Sequence, residues 1–234
     1  CGVYIYLYRD IQGCVYANHS QCAGFVSLVF LELIMLVSVI VPIYNAEAYI
    51  GKCAESLMMQ TYSDIEYVFV DDASTDASLS VLNGVIDRFE DRKKSVKVLR
   101  HDTNRGASVA RFDGVKEASG EWVIFVDSDD YVLTDYVAHL VKRGEETEAD
   151  VVVCDYYEER EAGNLVEKKV CLPHAKDEIL AGIIVGTIKG YLVNKLARRR
   201  LWRGISAVDG LAMFEDKHCV MQLCFAAKKI VYLE

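Results

Sequence analysis

Five short apolar runs rich in β-branched residues punctuate the chain: Val37–Val41, Ile65–Val70, Val96–Leu99, Trp122–Val126 and Val151–Cys154. They begin at residues 37, 65, 96, 122 and 151, so successive starts lie 28, 31, 26 and 29 residues apart. The segments between them carry helical spacing. Residues 76–90 place Leu79, Leu82, Val85, Ile86 and Phe89 on one stripe behind Asp76, a predicted N-cap. Residues 47–59, after a predicted Asn45 cap, read the same way, as do 107–118 and 134–148. Strands buried on both faces read as continuous apolar runs, and parallel strands need crossovers of this length. The rhythm predicts an α/β fold, a mostly parallel Rossmann-like sheet with helices on both faces. The units share no signature beyond hydrophobicity, which excludes a solenoid repeat.

After Cys154 the pattern changes. Residues 155–170 predict a hairpin around Gly163-Asn164, 176–188 and 216–228 predict helices, and Ile230–Leu233 a last strand. The domain therefore divides into a first half, 37–155, and a second, 156–234, and its ending on a strand predicts a natural protein that continues. Residues 1–36 read as an N-terminal extension, with Met35 a natural start for the domain. The apolar stretch 23–44 has the length of a membrane span. Glu32 within it costs about 2.5–3.5 kcal/mol on insertion scales, no basic cluster flanks it, and its second half is the first strand. A basic leader region is missing too, against a signal peptide.

Composition narrows the choices. In 234 residues, 52% are hydrophobic and two are proline, which excludes a disordered or low-complexity chain. A formal charge of -9 argues against a nucleic-acid partner. The eight cysteines form no C-x-x-C pair, so no zinc site is expected, and those in apolar segments predict a reducing, cytoplasmic location.

Acidic clusters follow two of the strands: Asp71-Asp72 with Asp76, and Asp127-Ser128-Asp129-Asp130. Ligands of open parallel sheets bind beyond the strands' carboxyl ends. Like charges 4 Å apart repel by about 4 kcal/mol at an effective dielectric of 20. A divalent cation that also takes substrate phosphates, Mg²⁺ or Mn²⁺, would relieve them. Strand termination and helix capping are the plainer reading of either cluster alone. No G-x-G-x-x-G follows the first strand, and P-loop, nucleophile-elbow and EF-hand patterns are missing.

These residues, in order, resemble the family 2 glycosyltransferases. The pieces are Val37-Ser-Val-Ile-Val-Pro42-Ile-Tyr44-Asn45, Gln60-Thr61-Tyr62, Val70-Asp71-Asp72-Ala-Ser74-Thr-Asp76, Asn104-Arg-Gly106-Ala-Ser108-Val-Ala110-Arg111, Gly120 to Asp130, Asn194-Lys195-Leu196 and Phe214-Glu215-Asp216. Phe112 and Thr134 depart from the usual Asn and Pro. The resemblance covers residues 37–233 and implies a GT-A fold. It places Pro42, Tyr44 and Glu47 at the nucleotide and Asp72 on the base. Asp127 and Ser128 fall on the donor, with Asp127 and Asp129 at an Mn²⁺ or Mg²⁺ ion and Arg111 supporting the donor. Asp216 becomes the general base, positioned by Glu215. The implied reaction inverts the anomeric carbon, moving sugar from a nucleotide-diphospho donor, UDP favoured, to a saccharide or lipid-linked acceptor.

Two readings stay beside it: a polyprenyl-phosphate sugar transferase, and an inactive nucleotide-sugar-binding module. Lys195, Arg198, Arg199, Arg200 and Arg203 are expected on a solvated face, or against donor phosphate, a lipid-linked acceptor or the inner face of a membrane. Arg92, Lys93, Lys94, Lys97 and Arg100 predict a solvated sheet edge. His101, His139, His174 and His218 show no ligand spacing, and only His218 lies near Asp216.

Overall fold

The computed structural model describes residues 35–160, 164–205 and 215–233. The extension before residue 35, with the first part of the apolar stretch, lies outside them, as do Gly163 and Phe214.

Buried, β-branched runs become strands β1 (Val37–Ile43), β2 (Ile65–Asp71), β4 (Trp122–Phe125) and β5 (Val151–Cys154), and the more exposed run between β2 and β4 becomes the edge strand β3 (Val96–Arg100). A separate antiparallel hairpin follows, β6 (Tyr156–Arg160) with β7 (Asn164–Lys168). Two further strands, β8 (Lys195–Arg198) and β9 (Ile230–Leu233), complete a seven-stranded sheet ordered β3-β2-β1-β4-β8-β5-β9. β1, β2, β3 and β4 pair in parallel, as do β5 and β9, whereas β8 runs antiparallel to both its neighbours. The helices are α1 (Ile50–Met58), α2 (Ser78–Ile86), α3 (Glu90–Lys93), α4 (Ala107–Glu117), α5 (Tyr136–Glu146), α6 (Lys176–Val185) and α7 (Glu215–Ala226). The fold is GT-A.

The strand β8 corrects the expectation for the basic segment. Lys195 is 2% exposed. Arg198 stacks on Trp122, 3.9 Å from its ring centroid, and reaches Glu145 at 2.9 Å. Arg199 Nε donates to the Gly120 carbonyl at 2.7 Å, and Arg200 pairs with Asp150. Long basic side chains bury their stems and lead their heads to oxygen; among these five residues Arg200 and Arg203 are exposed. Asn45 also departs from expectation. With φ +49 it accepts the Thr75 N–H, and α1 begins only at Ile50. Asp76 stands one residue ahead of Ala77, the N-cap of α2, and accepts from the Ser78 N–H and hydroxyl.

Helix α4 carries the site's arginine and lies close against the sheet. Gly114 faces Ile40 and Val70, and a Cβ added there would overlap the Ile40 side chain. Gly114→Ala is therefore expected to destabilise the domain by about 1–3 kcal/mol, read as a lower denaturant midpoint at unchanged slope. An unchanged midpoint would refute this packing. Phe112, the departure from Asn, packs edge-on against Trp202 at 6.4 Å, and Trp202 meets Phe125 at 5.2 Å.

Candidate active site

Asp72 lies one residue past β2 and is buried. Its Oδ1 accepts the Arg105 N–H at 2.8 Å and its Oδ2 the Gly106 N–H at 2.7 Å. Gly106, at φ +89, opens α4, so Asp72 sets the Asn104–Gly106 turn and faces the positive end of that helix. His101 joins it: Nδ1 lies 2.7 Å from Asp72 Oδ1 and Nε2 3.2 Å from Asp113 Oδ2. Ligand spacing gave no sign of His101. Its place directly after β3, whose Arg100 is level with Asp71 of β2, was the available signal.

The second acidic cluster follows β4. Arg111 of α4, buried, donates through Nη2 to Asp127 Oδ1 at 2.6 Å and through Nη1 to Asp216 Oδ1 at 2.8 Å. Glu215 Oε1 lies 3.5 Å from Nη1. Burial opposes the guanidinium charge, but Asp127 and Asp216 outweigh it and the pKa of Arg111 stands above the ordinary arginine value. Burial raises the Asp216 carboxyl, with Asp127 adding to the rise, while Arg111 and the Leu192 N–H oppose it. Glu215 is raised by burial and by Asp216, again against Arg111.

Asp129 and Asp130 titrate high as well. The low-dielectric cleft wall and then Asp127 raise Asp129. Burial, then Asp127 and Asp129, push Asp130 up to about 9, and its Oδ1 is a buried oxygen without a hydrogen-bond partner. These are the marks of carboxylates gathered without enough positive charge.

One cleft of about 390 Å³ brings most of the candidates together: Pro42, Tyr44, Asp72, Arg111, Asp127, Ser128 and Asp129 line it, with Asn104 and Gly106. Asp72 and Asp129 thus share a cavity, although they come from different strands. Glu215 and Asp216 line a second recess of about 460 Å³ with Tyr191. Arg111 joins the two by bonding a carboxylate from each. Glu47 stands apart from both linings. Its Oε2 accepts the Ala77 N–H at 2.8 Å and its own N–H goes to Asp76, so it braces the loop after β2. His218 is exposed.

The donor set suits a hard divalent cation. Asp129 enters no ion pair among the described residues, and Asp130 keeps its orphaned oxygen. No three such side chains already form a cage among the described residues. Magnesium-type sites use one or two carboxylates and complete their shell with water and substrate phosphate, which fits two available aspartates beside an open cleft.

The profile of glycosyl transferase family 2 matches residues 38–206. The chain belongs to that family. This family 2 domain is 32% identical over 209 residues to the glycosyltransferase GlyG of Streptococcus pneumoniae, covering 85% of this chain and 68% of GlyG. It is 34% identical over 170 residues to a putative glycosyltransferase, EpsH, of Bacillus subtilis, covering 70% of this chain and 47% of EpsH. Among solved structures, Staphylococcus aureus TarS bound to UDP superposes with a TM-score of 0.70 at 28% identity, over 85% of this chain and 58% of that one. The family 2 domain spans about half to two thirds of the length of these relatives. A Pyrobaculum calidifontis mannosyltransferase with GDP-Man and Mn²⁺, 20% identical, shares the fold with a TM-score of 0.63 over 85% of this chain and 55% of that one.

Proposed function

We propose that the chain transfers a sugar, with inversion, from a nucleotide-diphospho donor to an acceptor hydroxyl. The observation that carries this reading is the Arg111 bridge. One guanidinium holds Asp127 of the 390 Å³ cleft and Asp216 of the adjoining recess, so a donor and an acceptor would meet across it. The nucleotide would lie along Pro42, Tyr44 and the turn fixed by Asp72, with its diphosphate towards Asp127, Ser128 and Asp129. A UDP donor is favoured because TarS, a relative, was solved with UDP. Two poly(ribitol-phosphate) glycosyltransferases among the relatives favour a polymeric hydroxyl-bearing acceptor, in line with a saccharide or lipid-linked chain.

Asp216 would take the proton of the acceptor hydroxyl as its oxygen bonds the anomeric carbon. The bond from that carbon to the diphosphate breaks on the opposite face, and inversion follows. Its raised pKa strengthens it as a base, and Arg111 keeps it ionised and aimed. Glu215 would hold the same Nη1 of that guanidinium beside Asp216. An Mn²⁺ or Mg²⁺ ion, held by Asp129 and by the Asp127 oxygen that Arg111 does not take, would supply charge compensation for the departing diphosphate. Five cysteines are free among the described residues, four of them buried, in keeping with the cytoplasm. Among the described residues no helix is long and apolar enough to cross a membrane.

The test is thermal stabilisation by UDP with and without Mn²⁺, compared with GDP, followed by UDP release from a panel of UDP-sugars. Wild-type protein is expected to gain several degrees with UDP and Mn²⁺ together. Asp129→Ala should lose the manganese-dependent part, roughly 1–3 kcal/mol of ligand linkage. A chain indifferent to every nucleoside diphosphate would contradict the reading.

A further inference from the structure

Lys195 is a charge buried where a strand residue would ordinarily be apolar. It sits at the start of β8, level with Val153 of β5. An ammonium has three N–H donors and no acceptor, and here each meets an oxygen: the Tyr191 carbonyl at 2.6 Å, Asn194 Oδ1 at 2.7 Å and the Lys189 carbonyl at 3.3 Å. Asn194 is held in turn, its Nδ2 donating to the Cys154 carbonyl at 2.8 Å. The Tyr136 hydroxyl donates to the Val193 carbonyl at 2.9 Å. All these bonds converge on one short turn, residues 189–194. That turn forms the wall beside Asp216: Leu192 lines a small cavity with it, and Lys189, Gly190 and Tyr191 line the 460 Å³ recess with it.

We propose that Lys195 is a positioning residue for Asp216, tying down the turn, residues 189–194, that walls the recess beside the carboxylate. The inference rests on the assignment of Asp216 as general base. A leucine or methionine at this position would fill the strand more cheaply, because a buried ammonium loses its hydration.

The charge also titrates. Burial pushes the Lys195 ammonium down to about 8, partly offset by Cys224, Cys154 and Asp216. The groups facing it are Asp216 and Cys224 of α7, Cys154 of β5 with Tyr136 of α5 behind it, and Tyr191 stacked edge-on with Tyr156 of β6. Above about pH 8 the nitrogen loses a donor and its charge, so turnover should fall as pH rises.

The experiment compares Lys195→Met, Lys195→Arg and Asp216→Asn in the full chain. Turnover is UDP release from the UDP-sugar hydrolysed fastest in the panel above, followed with pH, and UDP affinity is measured with Mn²⁺. Lys195→Met is expected to lower kcat by about 100-fold, the scale of a small misplacement of a reacting group, with UDP affinity within about twofold. Lys195→Arg, which stays charged, should restore most of kcat and remove the alkaline fall. In the ligand-free chain the Leu192 amide proton resonance should move in Lys195→Met and in Asp216→Asn alike. Wild-type turnover in Lys195→Met overturns the inference, as does an alkaline fall unaltered in Lys195→Arg, which also decides the matter if the methionine variant does not fold. If Asp216→Asn itself turns over normally, the base assignment fails instead.

Discussion

Arg111→Met is expected to lower both stability and turnover more than any other single change in the cleft. Removing one partner of a buried ion pair leaves its carboxylates without compensation, at about 3–5 kcal/mol. The lower end applies here, because the Asp127 and Asp216 side chains keep 33% and 24% exposure. Without the guanidinium, the folded-state pKa of Asp216 rises further. A carboxylate raised in the folded state favours folding most below its unfolded pKa, and loses that advantage as pH climbs through the folded value. The deficit of Arg111→Met should therefore be largest at neutral pH and shrink as the solution is acidified, measured by denaturant unfolding at several pH values. Arg111→Lys is not expected to rescue it. A point-charge ammonium cannot present two forks to two carboxylates on different elements. A pH-independent deficit would show that Arg111 acts through packing alone.

Asp216→Asn separates chemistry from architecture. Loss of a general base costs about 10²–10⁴ in rate, and here the fold should not suffer. The wild-type carboxyl is disfavoured by burial and by Asp127, so a neutral amide of the same shape is tolerated, and Arg111 keeps Asp127 and Glu215. The expected result is a melting temperature near wild type, unchanged UDP affinity with Mn²⁺, and kcat down by about three orders of magnitude. The wild-type rate should decline on the acid side at a higher pH than an ordinary aspartate would impose. That limb should vanish in the variant. Undiminished turnover would remove Asp216 from the chemistry.

How much of this was legible beforehand depends on where each signal resides. Strands β1, β2, β4 and β5 announce themselves because both of their faces are buried, which leaves an apolar run with nothing polar to interrupt it. The acids after β2 and β4 stand out for the opposite reason, as charge directly behind such a run. Strand β8 was hidden. Its sequence Lys-Leu-Ala-Arg reads as basic surface, and only the Trp122 ring and the loop carbonyls, contributed from elsewhere, make those side chains compatible with a sheet interior. His101 was hidden too, since its partners Asp72 and Asp113 come together only when β2, β3 and α4 pack. Glu47 illustrates the converse. It lies near the first loop in sequence, yet the strained Asn45 conformation turns that loop towards Thr75 and Ala77.

The placement of β8 bears on how the polypeptide assembles. β4 and β5 do not pair with each other; each borders β8, which is synthesised some forty residues after β5. A nascent chain emerging only as far as Cys154 would hold β4 with one side bare and β5 with no neighbour at all, a template for wrong pairing. Closure of the sheet waits on a late, sequence-distant insertion of the kind that slows folding. Assembly of this enzyme therefore has a long vulnerable interval, and protection by a chaperone would matter most between translation of β5 and arrival of β8.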